Sequence, residues 1–241
     1  LIKITICKIQ RLIFLLDNIN EELRRLSTNK NIDKNSFDYN LIKKSFGIEL
    51  TTICECDNCK IKTARKDVNF CLPLILSQST EPSSKKQSVQ NLIDNFFNIE
   101  YLNSENDNLF SCSNCNSLQR ATKRVLIRKE NDMRFQMPDY LIFSLNRFVY
   151  KQIDSSIQNI KVMEQLNYEN IIRLNTIGLN DDSIEEKYEL VSIIVHSGSS
   201  IHHGHYYSYF KNRNQNETSN FYFKLQVNNI RIYKPITFKL Y

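Results

Sequence analysis

"YELVSIIVHSGSSIHHGHYYSYF", Tyr188 to Phe210, reads as a strand, a loop and a second strand in one stretch. "YELVSIIV" and "HYYSYF" are rich in β-branched and aromatic residues, and Gly and Ser separate them. Two such runs so close together point to neighbouring strands of a sheet. All four histidines of the chain lie here: His196, His202, His203 and His205. Their clustering is open to three readings: a metal site, a catalytic site or coincidence. A histidine where a loop meets a strand is held by rigid sheet yet open to a cleft, which suits a general base. His205 has that place, and Gly204 before it leaves room for a substrate backbone.

Outward from this stretch, "YLIFSLNRFVY" and "NFYFKLQVNNIRIY" also read as strands. The front of the chain is different. "IQRLIFLLDNINEELRR", residues 9–25, places Ile9, Leu12, Ile13, Leu16, Ile19 and Leu23 at helical spacing. "YNLIKKSFGIELTTI" passes through Gly47 into a strand. "STNKNIDKNS" and residues 77–88 read as loops, and "SVQNLIDNFFNIEYL" as a short helix capped by Ser88. The fold class is α+β, helical at the front and antiparallel sheet at the back.

A chain of 241 residues with 41% hydrophobic content makes one large domain or two small ones. Its net charge of +6 is spread in short groups, not gathered into a basic face, so no nucleic-acid partner is expected. "LIKITICKIQRLIFLL" is too short and too charged to span a bilayer, so no membrane association is expected. No signal peptide is legible.

The chain has seven cysteines. Four form two C-x-x-C pairs, Cys56/Cys59 and Cys112/Cys115. Paired spacing with an odd remainder reads as metal binding in a reducing compartment, not as a disulfide framework. Two such knuckles supply four thiolates for one tetrahedral Zn²⁺, with no open position, so the metal is structural. The segment between the pairs is about three times longer than in a simple zinc ribbon. It has to fold back so that the knuckles meet. Cys7, Cys54 and Cys71 read as buried small hydrophobes. With cysteines accounting for a metal, the histidine cluster needs none.

Tyr188, Leu190, His196, Gly198, Gly204, His205 and Tyr206 resemble the histidine box of the ubiquitin-specific proteases, papain-like cysteine deubiquitinases. Pro138, Leu145, Arg147 and Phe148 are similar to that family's strand motif upstream of the box. The segments entering both knuckles, "FGIELTTICECDNC" and "VQNLIDNFFNIEYL…FSCSNC", are similar too, as is "FLLDNINEEL". The resemblance implies a β-sheet palm over residues 126–241, zinc-tipped β fingers with a helical insert over 51–125, and a partial helical thumb over 1–50. It implies His205 as catalytic base, Gln226 in the orienting position, and Gly204, Tyr206 and His196 beside the substrate. His196 then begins the loop at the cleft, with His202 and His203 on it. Read from the residues alone, these three are solvated loop histidines.

The resemblance also implies ubiquitin and ubiquitinated proteins as partners, and a cytoplasmic or nuclear location. The family's nucleophile lies in an Asn-x-Cys-Tyr/Phe-x-Asn-Ser box, and nothing here matches it; Cys7 has none of those neighbours. The chain is therefore expected to be the distal part of a longer catalytic domain, truncated at its N-terminus. The alternative is a catalytically dead ubiquitin-binding module with structural zinc. In the orienting position an amide oxygen of Gln226 still accepts from imidazole Nδ1–H, but it brings no charge and an extra methylene.

Overall fold

The computed structural model describes residues 6–29, 37–76, 87–128, 137–153, 156–162, 165–178, 182–198, 205–211, 222–227 and 236–240. Two helices lead, α1 (Ile6–Asn29) and α2 (Phe37–Phe46). Gly47 then turns the chain directly into β1 (Ile48–Cys56). Its N–H donates to the Lys43 carbonyl at 2.7 Å, and a Cβ there would sit 2.6 Å from that oxygen. Only glycine fits so close a turn.

Next come β2 (Lys62–Asn69), β3 (Leu72–Ile75), β4 (Gln87–Ser88) and α3 (Val89–Phe97). β5 (Glu100–Leu102), β6 (Phe110–Cys112), β7 (Ser117–Gln119) and β8 (Ala121–Leu126) follow. The remainder is sheet: β9 (Tyr140–Asn146), β10 (Phe148–Ile153), β11 (Ser156–Lys161), β12 (Leu166–Asn167) and β13 (Ile171–Ile177). The last four are β14 (Ser183–Ser197), β15 (His205–Lys211), β16 (Tyr222–Val227) and β17 (Ile236–Leu240).

Two sheets organise these strands. A four-stranded sheet runs β2-β1-β8-β5 with the first cysteine knuckle at the end of β1, and the second knuckle joins the two-stranded sheet β6-β7. A seven-stranded sheet runs β16-β15-β14-β17-β9-β3, with β13 also on β14. The long strand β14 changes neighbours along its length. Its first half pairs with β13, its last six residues with β15. Helices α1 and α2 pack together and onto β9. Leu72, Leu74, Leu92, Ile93, Phe143, Leu145, Ile172 and Leu190 belong to one continuous apolar core.

The α+β reading holds, and α3 starts where expected: the Ser88 hydroxyl accepts from Asn91 N at 3.2 Å. Elsewhere the structure differs from the sequence reading. Helix α1 runs three residues further back and four further on than 9–25, taking in Ser27–Asn29 of the expected loop. Leu16 is buried and Leu23 half-buried as its spacing implies, but Ile19 is 39% exposed. At the end of residues 77–88, Gln87 and Ser88 form a short parallel pair with β12, and 77–86 lie outside the described residues. "YLIFSLNRFVY" is two strands, not one. At Arg147 the backbone N–H turns back to the Leu145 carbonyl at 2.9 Å and the ladder breaks. β3, within residues 51–125, joins the large sheet by pairing parallel with β9.

Candidate functional site: a four-thiol cluster and a strand-borne histidine

The strands bring both C-x-x-C turns to one point. Cys56 closes β1, and the turn after it is held by Lys60 N to Cys56 O at 2.9 Å and Cys56 N to Ile61 O at 3.1 Å. The second turn links β6 to β7, with Cys115 N donating to Cys112 Sγ at 3.5 Å. Asp57 N reaches across to Arg120 O at 2.9 Å and joins the two turns. Each turn puts the residue after its second cysteine in the left-handed region, Lys60 at φ 59° and Asn116 at φ 52°. That conformation aims both thiols of a pair the same way.

The result is a compact set of four sulfurs. Cys56 and Cys115 Sγ are 3.9 Å apart, Cys59 and Cys112 Sγ 3.6 Å, and all four lie within 4.8 Å of one another. A tetrahedron of sulfurs about 2.3 Å from a zinc ion has edges of about 3.8 Å. These four residues could therefore hold a metal, in a position that zinc fits. The thiols titrate apart. The Ile61 backbone N–H draws Cys59 down to about 6, against desolvation. The Asn58 amide, 3.4 Å from Cys115 Sγ, draws that thiol down. Desolvation and the thiols of Cys59, Cys112 and Cys56 outweigh it and push Cys115 up to about 12.

Of the other cysteines, Cys71 is buried at 8% exposure, as expected. Cys54 is only half-buried, because its strand β1 is flanked by polar neighbours, Thr63 on β2 and Lys123 on β8. The Cys7 side chain lies outside what is described. No disulfide joins the six described thiols.

On the large sheet, His205 is exposed and begins β15, its backbone paired with Ser197. Tyr206 pairs with His196 on one side and Val227 on the other. Gln226 pairs with Tyr207, two residues along the strand from His205. The side chains of Tyr206 and Gln226, and all of Gly204, His202 and His203, lie outside the described residues.

His196 is a correction. It is no solvated loop residue: it lies within β14 and is 1% exposed. Its Nδ1 sits 3.2 Å from Lys161 Nζ. A β-bulge between Leu190 and Ser192 moves the inward face from even to odd residues and so puts His196 on the opposite face, where Lys161 covers it. Tyr188 and Leu190 face inward before it, Ile193 and Val195 after it, and the end of β11 then covers the other face at His196. Lys161 was missed from sequence. No motif marks it, and lysine is rarely buried.

A cavity of about 1170 Å³ opens between the two sheets, lined by Ile53, Gln90, Tyr101, Arg124, Arg173 and others. His205 does not line it. No described helix is long and apolar enough to cross a membrane.

The sequence profile described as "Ubiquitin carboxyl-terminal hydrolase" matches residues 10–237. The chain is 30% identical over 175 residues to ubiquitin carboxyl-terminal hydrolase 4 of Arabidopsis thaliana, covering 72% of this chain and 42% of that one. It is 29% identical over 204 residues to ubiquitin carboxyl-terminal hydrolase 13 of Saccharomyces cerevisiae, covering 82% and 25%. It thus spans less than half the length of either relative. A yeast SAGA DUB module with a mutant Sgf73 superposes with TM-score 0.62 at 21% identity, over 95% of this chain and 49% of that one. The SAGA Ubp8/Sgf11/Sus1/Sgf73 DUB module bound to ubiquitin aldehyde does so with TM-score 0.56 at 19% identity, over 82% and 42%. At these identities the likeness concerns the fold.

Proposed function

The chain belongs to the ubiquitin carboxyl-terminal hydrolase family, with its α+β, papain-like fold, and we propose that it supplies the metal ribbon and histidine-bearing sheet of a cysteine-type deubiquitinase. In this reading residues 126–241 are the palm and 51–125 the fingers, apart from β3, which crosses to the palm sheet. Residues 1–50 are part of the thumb.

One observation carries the reading. A four-thiol cluster and a histidine that opens a strand of the seven-stranded sheet occur within one matched span. The substrate is a ubiquitin conjugate. His205 takes the proton of an attacking thiol and returns it to the leaving lysine amine. Gln226 orients the imidazole through its amide oxygen, and Gly204 and Tyr206 border the channel for ubiquitin's C-terminus, while His196 lies buried behind them. Zinc held by Cys56, Cys59, Cys112 and Cys115 cross-links the two turns and supplies no reaction chemistry. Free thiols in a metal-binding arrangement fit a reducing compartment, cytoplasm or nucleus.

A second reading, a ubiquitin-binding module without chemistry, draws on Gln226 and on the lack of an Asn-x-Cys box in this sequence. Two measurements on the chain separate them. Titration with ubiquitin by NMR or calorimetry reports binding. A ubiquitin C-terminal vinyl probe reports a competent thiol. Binding without labelling supports the module reading for this chain. Labelling that vanishes in Cys7→Ser restores chemistry to it. Absence of any binding removes the module reading.

A further inference from the structure

Lys161 ends β11 with 8% of its surface exposed. Its ammonium donates to the Gly198 carbonyl and lies 3.2 Å from His196 Nδ1. A lysine ammonium has three donors and no acceptor. Nδ1 therefore accepts, and the His196 proton sits on Nε2. Burying an ammonium costs stability even when its donors are met. A methionine would fill the same space without that cost, so the charge points to a role beyond packing.

The two groups that Lys161 holds flank Ser197, and Ser197 is the backbone partner of His205. Ser197–His205 is the last rung of the β14–β15 ladder, and His196–Tyr206 is the rung before it. The lysine thus grips β14 on both sides of the residue that sets His205 against the sheet. It is itself anchored. Val162 N donates to Arg147 O at 2.6 Å, and Arg147 Nη1 donates to Val162 O at 3.3 Å. Arg147 is 1% exposed at the break between β9 and β10. A continuous polar path therefore runs from the buried arginine through Val162 and Lys161 to the strand end that carries Ser197.

We propose that Lys161 is a positioning residue for His205: its ammonium clamps His196 and Gly198 so that the last rung of the ladder holds the histidine in one place. The catalytic meaning of that placement rests on the deubiquitinase reading, but the clamp itself does not. The test uses the chain as it stands. Nitrogen-15 imidazole spectra of the unsubstituted protein are expected to show His196 as the Nε2–H tautomer with Nδ1 accepting. In Lys161→Met, amides of the Ser197–His205 and His196–Tyr206 rungs are expected to exchange about tenfold faster or more. The Ser192–Phe210 and Ile193–Tyr209 rungs of the same ladder should keep their protection. Lys161→Arg, which keeps donors, should restore most of the difference. An Nδ1–H tautomer in the unsubstituted protein overturns the proposal, whether or not Lys161→Met folds. Equal acceleration along the whole ladder, or none at its end, also overturns it. Failure to bind ubiquitin would count against ubiquitin binding by this chain and leave these outcomes unaffected.

Discussion

The side-chain amide of Gln90 pairs with the backbone of Arg173 as a neighbouring strand would. Gln90 Nε2 donates to Arg173 O at 2.9 Å, and Arg173 N donates to Gln90 Oε1 at 2.8 Å. The first turn of α3 is thereby stitched to β13, and Glu169 Oε2 accepts from Gln90 N at 3.3 Å on the same side. Gln90→Ala removes both of these hydrogen bonds and a third, which Gln90 Nε2 donates to Asp94 Oδ1 at 2.8 Å. It is expected to cost about 1–2 kcal/mol. Gln90→Glu sets a carboxylate oxygen against the Arg173 carbonyl and should cost at least as much. Denaturant unfolding measures both, and wild-type stability in both variants would show that the stitch contributes nothing.

Metal analysis is expected to give about one zinc per chain, lost in Cys112→Ala together with the order of the four-stranded sheet. Stoichiometric metal in a chain lacking Cys56 and Cys59 rules out the ligand set.

Lys60 is left-handed at the first turn. A β-branched side chain there clashes with the backbone, and glycine does not. Lys60→Val should destabilise the metal-bound form by about 1–2 kcal/mol, while Lys60→Gly stays within about 0.5 kcal/mol of the parent. Equal effects would mean that the turn relaxes.

Alkaline pH tests the core. Burial pushes the Cys71 thiol up to about 12. Burial, with the charges of Glu186 and Asp139, pushes the Tyr188 phenol up as well. Both groups are neutral when folded and ionise sooner when unfolded. Their contribution is full below the unfolded values, about 8.5 for Cys and 10 for Tyr, and declines as pH rises past them. Stability should fall from about pH 9 upward. In Cys71→Val the fall should be shallower between about pH 9 and 10, since one raised thiol is gone while the Cys54 thiol, which burial also raises, and Tyr188 remain. An unchanged slope would show that Cys71 is solvated. Tyr188 also donates to Pro138 O at 2.9 Å. Tyr188→Phe leaves that carbonyl unmet and should cost about 1–3 kcal/mol.

Joined behind a relative's cysteine box, the chain should lose several powers of ten in turnover with His205→Ala. His202→Ala and His203→Ala together should cost less than about tenfold. Similar losses from both would mean that the histidines act as a group.

Much of this was legible in the sequence where a local rule decides. The cysteine pairs carry their own turn geometry, and Ser88 sits where a cap belongs, so both were read correctly. The failures lie where a distant contact decides. Arg147 breaks a continuous apolar run because its backbone and guanidinium engage Val162, fifteen residues on. His196 is buried, on the face that the bulge in β14 turns away from Ile193 and Val195, because Lys161 arrives there from another strand. Ile19 keeps helical phase with Leu16 and Leu23 yet stays exposed, since periodicity does not say how wide the covered stripe is.

The route between the knuckles bears on how the chain folds. After β2 it leaves the small sheet, adds β3 to the large one, forms α3 and only then returns as β8 to lie beside β1. Closing a 53-residue separation between Cys59 and Cys112 costs only about 1 kcal/mol more than closing a ribbon of ordinary length, because loop entropy grows with the logarithm of length. The detour is therefore cheap in equilibrium terms and slow in kinetic ones. Neither sheet can finish without strands that the other has already placed. Cutting out the cysteine-bearing segment would also strip β3 from its partner and leave Leu72 and Leu74 facing water. The two halves are expected to unfold together, in one transition.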